Sequence, residues 1–268
     1  MICRKSRFVI CLVTAVAAWS LSGASGAEAP DKLILSRSGN LPIVLTAPHG
    51  GQDIVPGVSR RSHGVTLLDA NTIELAETLS KRLRASLGGD VYLVAARFSR
   101  KYIDANRPEA KAFESVDAGP VYRAYHNRIS SFISEVRQKF PNGALLLDIH
   151  GQSEDPSVVH RGTRNGATVT RLIEKHGAAA LVGPNSFLGF LQLKGYKVFP
   201  PNTPLNDPQE DRRFNGGHTV WTYGSQNPDG IDAIQIEVGK SLRTDSAFID
   251  TLARGMEMFY RTYLMAGK

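Results

Sequence analysis

Hydrophobic positions along the chain follow two alternating periods. Leu33–Leu35 and Ile43–Ala47 read as short buried strands. Ile73, Ala76, Leu79, Leu83 and Leu87 recur at helical spacing, which predicts a helix over Asp69–Leu87 that Gly88-Gly89 stops. Val91–Ala96 predicts a strand. Val121, Tyr125, Ile129, Phe132 or Ile133, Val136 and Phe140 share one face of a predicted helix that ends at Pro141-Asn-Gly143. The unbroken apolar run Ala144–Ile149 fits a strand covered on both faces. A helix is expected over Ala167–His176, strands over Phe187–Leu193, Tyr196–Phe199 and Ile234–Val238, and a terminal helix through Ile249, Leu252, Met256, Phe259 and Tyr263. Such alternation predicts an α/β fold. Pro200–Gly217, rich in Pro, Asn, Asp, Arg and Gly, reads as a long loop of the kind that covers or builds binding sites. No linker divides residues 28–268, which are expected to form a single domain.

The first residues follow another pattern. Arg4, Lys5 and Arg7 precede an apolar run, Phe8–Leu21, and then small residues up to Ala27. That layout predicts a secretory signal peptide over 1–27, hence a periplasmic or secreted protein with no stable membrane association once it is cleaved. The apolar run is short for a membrane span. Both cysteines, Cys3 and Cys11, fall in this leader, so the expected mature chain has no disulfide and no cysteine metal site. Without the leader, 29 basic side chains face 25 acidic ones. No basic block interleaved with aromatics is present, which argues against nucleic-acid binding. The mild positive charge favours a small anionic substrate.

Chemistry concentrates where strands end, the place where open α/β sheets bind ligands. Ile43–Ala47 runs into Pro48-His49-Gly50-Gly51, Ala144–Leu147 runs into Asp148-Ile149-His150-Gly151, and the late strand carries Glu237. Either histidine alone fits a hydrogen-bonded loop residue; the two together, both at strand ends, point to a metal site. Catalytic zinc usually has three protein ligands and an open position. A carboxylate is therefore expected as the third. Asp69, at the start of the helix after the His49 loop, is preferred to Asp53; as plain structure, Asp69 would be an N-cap and Asp53 a turn residue. Arg100, Asn106 and Arg107 follow another strand and could grip a substrate carboxylate, with Asp104 positioning one of the arginines. His126 reads as a packing residue on a helix. His63, His160 and His176 read as surface residues.

Six motifs occur in an order that resembles the N-formylglutamate amidohydrolases: Ala47-Pro-His-Gly-Gly51, Ser99-Arg-Lys-Tyr-Ile-Asp-Ala-Asn-Arg-Pro108, Tyr125-His126, Leu147-Asp-Ile-His-Gly151, Asn215-Gly-Gly-His218 and Ile234-Gln-Ile-Glu-Val238. The resemblance runs from about Leu41 to Arg243. It implies a zinc-peptidase-like, three-layer α/β/α fold with a mixed, mostly parallel sheet, and zinc-dependent cleavage of an amide beside a carboxylate. Carried over by position, it makes His49, Asp69 and His150 the zinc ligands. Arg100, Asn106 and Arg107 become the carboxylate site, Glu237 the general base and His218 an assisting group. The sequence departs from the family in having glycine where serine follows each histidine, Ala105 for leucine, and His218 where tyrosine is common. A carboxypeptidase-like or cell-wall amidase, and a non-catalytic carboxylate-binding protein, are the alternatives.

Overall fold

The computed structural model describes residues 30–201 and 209–265. The expected leader and part of the 200–217 loop lie outside the described residues. In chain order the elements are β1 (Ile34–Arg37), β2 (Ile43–Ala47), α1 (Thr72–Leu87), β3 (Tyr92–Ala96), α2 (Glu109–Ala112), α3 (Gly119–Lys139), β4 (Leu145–Gln152), β5 (Val158–Gly162), α4 (Thr170–His176), α5 (Ala179–Val182), α6 (Phe187–Leu193), β6 (Lys197–Phe199), α7 (His218–Tyr223), β7 (Asp232–Gly239) and α8 (Ser246–Phe259). A π-helical turn, Tyr260–Leu264, follows α8.

The seven strands form one mixed sheet in the order β1-β3-β2-β4-β7-β5-β6. The central strands β3, β2, β4 and β7 are parallel, while β1 and β5 join antiparallel. Successive side chains alternate between faces. Leu45, Leu93, Leu147 and Ile236 pack with α1, α6 and α8 on one face. Val44, Val94, Leu146 and Ala233 pack with α3 on the other. The result is the three-layer α/β/α arrangement expected from the sequence. No helix among the described residues is long and apolar enough to cross a membrane.

Three local expectations are corrected. Phe187–Leu193 is a helix, not a strand. Ser186 caps it, its hydroxyl accepting from Gly189 N at 3.0 Å, and Phe187, Leu188 and Leu191 are buried. Asp69 does not cap α1. The helix starts at Thr72 behind Asn71, which takes the left-handed conformation, and the Asp69 carboxylate turns to the histidines instead. His160 is not a surface residue. It lies buried on β5, a strand that its polar neighbours conceal in the sequence.

Candidate metal centre

The sheet assembles the site by register. Thr46 on β2 stands opposite Asp148 on β4, and His150 stands opposite Glu237 on β7. The pleat sends Asp148 and His150 to the α3 face, between Leu147 and Ile149, which point the other way. His49 follows β2 directly. Its Nδ1 comes to 3.1 Å from Nδ1 of His150, although 101 residues separate them. Asp69 Oδ2 lies 3.3 Å from the first nitrogen and 3.2 Å from the second. Among the described residues these three, all buried, form the group that could hold a metal, each offering one ligand atom within 4.8 Å of the others. Glu237 Oε1 is 3.9 Å from His150 Nδ1. Asp53 is exposed, its backbone bridged to Phe98, and it takes no part in the cluster.

The opposite side of each imidazole fixes its proton. His49 Nε2 donates to Asp104 Oδ1 at 2.7 Å, and His150 Nε2 donates to Asp148 Oδ2 at 3.0 Å. Ionised carboxylates only accept, so each ring keeps its proton on Nε2 and turns the Nδ1 lone pair inward. Two lone pairs and a carboxylate converging in a buried space repel one another unless a cation sits among them. That chemistry, with each outer nitrogen bound to a carboxylate, fits a metal site. The local fields agree. Burial alone would raise Asp69, but His49 and His150 hold it well below the ordinary carboxylate range. Burial opposes the charged form of His150, yet Asp148, Asp69 and Glu237 push it well up, a second sign that positive charge belongs here. Glu237, largely but not fully enclosed and near Asp69, is pushed up to about 7 by desolvation despite the opposing pull of His150. Its Oε1 accepts from Gln235 Nε2 at 3.0 Å.

The expected carboxylate clamp is arranged differently. Arg100 donates from Nε and Nη2 to Asp104 Oδ2 at 3.0 and 2.9 Å, and its Nη1 lies 3.7 Å from Asp69 Oδ1. Asn106 is buried. Its oxygen accepts from Thr219 N at 2.8 Å, and its nitrogen packs 3.1 Å from His150 Nε2 and 3.4 Å from Gln235 Oε1. Both ends of this amide contact the wall of the cavity that Asn106 lines. Arg107 is exposed at the rim. His218 opens α7, half-buried on the same cavity, with its Nε2 3.4 Å from the Tyr122 hydroxyl. Burial and the Arg107 charge hold it below its ordinary value. His126 is a packing residue: Nε2 donates to Ala105 O at 3.0 Å and Nδ1 accepts from the Tyr223 hydroxyl at 2.9 Å.

Asp104, expected to position an arginine, and three residues beyond the expected set complete the site. Asp104 is its hub, serving His49, Arg100 and the Asn106 amide together. Asp148 also accepts from Thr46 Oγ1 at 2.6 Å; its spacing two before His150 on a strand was the available signal. Arg243 donates to Ala70 O at 2.7 Å and occupies the space beside Gly151, where a Cβ would come within 2.1 Å of its Nη1. A Cβ on Gly50 would meet Thr72 Oγ1 at 2.5 Å. Both glycines therefore stand where no serine fits without neighbours moving. Glu210, buried, accepts from Arg161 Nε at 2.9 Å and from the backbone of Thr163 and Asn165, pinning the segment that leads to Asn215 and His218.

The site opens into a cavity of about 920 Å³. A second cavity of about 860 Å³ lies at the start of β4 and β7, but its Arg171 and Lys175 already donate to the carbonyls of Gly230 and Asn142.

No protein-family profile matches the chain. No curated protein matches it either. Solved structures do. An N-formylglutamate amidohydrolase from Ralstonia eutropha JMP134 is similar with a TM-score of 0.54 and 18% identity, over 82% of this chain and 92% of that one. The two chains share their overall fold. A gene product from Agrobacterium tumefaciens is similar with a TM-score of 0.58 and 16% identity, over 85% of this chain and 94% of that one. In this chain the shared fold carries the buried His49-Asp69-His150 group, which is compatible with a metal.

Proposed function

We propose that the protein is an exported, zinc-dependent amidohydrolase that cleaves an amide bond beside a carboxylate, in N-formylglutamate or a related N-acyl amino acid. The observation that carries this reading is the convergence of His49 Nδ1, His150 Nδ1 and Asp69 within 4.8 Å, with Glu237 beside them. His49, Asp69 and His150 would hold the zinc, which supplies Lewis acidity toward an amide carbonyl and makes water at the site more acidic. Glu237 removes a proton from the water that attacks the carbonyl carbon. It returns that proton to the leaving nitrogen as the C–N bond breaks, giving a carboxylic acid and an amine. Its placement at about 7 suits it to both transfers near neutrality. Arg100, held by Asp104 beside Asp69, supplies positive charge where the carbonyl oxygen becomes negative. Arg107 attracts the substrate carboxylate at the rim, and His218 lies on the same wall. The basic, apolar and small-residue succession of the leader supports export to the periplasm or beyond.

The test uses the zinc-loaded mature protein and N-acyl amino acids. Glu237→Gln is expected to keep zinc and fold while turnover falls by roughly 10²–10⁴. His49→Ala and His150→Ala are expected to lose zinc in elemental analysis. Full turnover in Glu237→Gln, or stoichiometric zinc in both histidine variants, overturns the proposal.

A further inference from the structure

The cavity above the metal centre is at the upper end of small-molecule sites in volume, far more than a one-carbon acyl group needs. Its lining is also unusual. Eight large apolar side chains are exposed among the described residues, and four of them, Val65, Leu67, Leu68 and Trp221, line this one cavity. Scattered exposed apolar residues need no explanation, whereas a cluster at a binding cavity does. Leu67 is 76% exposed and Trp221 50%.

The apolar ledge is held in place. Arg61 donates from Nη1 to Val65 O and Arg100 O, both at 3.1 Å, and from Nη2 to His63 O at 3.0 Å. Asp69 N donates to His49 O at 3.1 Å. The loop that carries Leu67 and Leu68 is therefore tied at both ends, and its last residue is the carboxylate of the metal group. Trp221 lies one turn along α7 from His218, with the Arg164 guanidinium 5.6 Å from its ring. Cationic groups share the same lining. Arg107, Arg164 and Arg212 have no carboxylate partner among the described residues, whereas Arg213 is paired with Asp211 and Glu154. A ligand that satisfies both parts is amphipathic, with an extended apolar portion and a carboxylate.

We infer that the substrate is an N-acyl amino acid whose acyl group is a long apolar chain, seated on Val65, Leu67, Leu68 and Trp221, with its carboxylate among the rim arginines. This rests on the amidohydrolase reading and deepens it. Hydrolysis adds water across the amide and releases a fatty acid and a free amino acid. The leaving nitrogen takes the proton from Glu237.

The experiment compares N-formyl-, N-octanoyl- and N-dodecanoylglutamate, and the dipeptide leucylglutamate, on the zinc-loaded protein below micelle-forming concentrations. A buried methylene is worth up to about fourfold, so kcat/KM is expected to rise roughly a hundredfold or more from the formyl to the dodecanoyl compound. Leu67→Ser and Trp221→Ala are each expected to cut that ratio roughly tenfold while leaving N-formylglutamate turnover within about twofold. Equal or better use of the formyl compound, or a preference for the dipeptide, overturns the inference and leaves the amidohydrolase reading standing. If none of these compounds is cleaved, the amidohydrolase reading loses its support. Calorimetric binding to the Glu237→Gln protein then still decides the inference: tighter binding of the dodecanoyl than of the formyl compound supports it, and equal or weaker binding refutes it.

Discussion

His126 offers a measurement of how the wall of the site bears on stability. It is enclosed by Tyr122, Tyr125, Tyr223 and His218, and its two nitrogens are engaged with Ala105 O and the Tyr223 hydroxyl. Burial, reinforced by nearby His218, lowers it from the ordinary 6.5 to about 4. The unfolded chain therefore binds a proton at this residue before the folded one does, and stability must rise with pH across that window. The contribution is fully present above pH 6.5 and is lost as pH falls through 4. A displacement of this size corresponds to about 3 kcal/mol in all, of which about 2 kcal/mol is gone by pH 5. The perturbation is His126→Gln, which keeps an acceptor and a donor but no titratable ring. Urea denaturation of both proteins at pH 7.5 and pH 5 gives the comparison. The wild-type protein should lose about 2 kcal/mol more than the variant between the two conditions. Equal losses in the two proteins would refute the assignment of a neutral, desolvated imidazole at this position.

Further outcomes follow from the same geometry. On the proposed zinc reading, Asp104→Asn and Asp148→Asn should each weaken zinc binding by roughly 10–100-fold in a competition with a chelator, because each removes the carboxylate that orients one of the two imidazoles. Gly151→Ala should displace Arg243 from its bond to Ala70 O and cost about 1–3 kcal/mol in denaturant, whereas the double variant Gly151→Ala with Arg243→Ala should recover part of it. Glu210→Ala should cost about 3 kcal/mol by removing the carboxylate beside buried Arg161.

Much of the fold can be read from the sequence because the central strands and longer helices carry unambiguous periods. β2, β3, β4 and β7 are apolar runs bounded by turn residues, and α1, α3 and α8 repeat their apolar positions every three or four residues. The misread segment, Phe187–Leu193, is apolar almost throughout. Such a run suits a buried strand and a buried helix equally, and only the capping Ser186 tells them apart. β5 carries no clear strand signal, because the polar residues of Val158-Val-His-Arg-Gly162 find their partners far along the chain, Glu210 for Arg161 among them. The metal group was legible as histidines at strand ends. Its supporting carboxylates were less so. Asp104 looks like a loop residue beside arginines until the folded chain brings His49 to it. Asn106 has a role the sequence does not show: its amide oxygen accepts from Thr219 at the start of α7 and so fixes the direction of the amide nitrogen.

Neighbouring β2 and β4 dictate how closely the two imidazoles approach, whereas the leucines and arginines around the mouth sit on connecting segments outside the sheet. The imidazole spacing is thus set by the sheet, whereas Asp69, the third member of the group, is set by the loop that also carries Leu67 and Leu68. An exchange of residues 64–68 would therefore reshape the mouth and shift a member of the metal group at once, so a redesign of the rim has to keep the Asp69 N to His49 O bond.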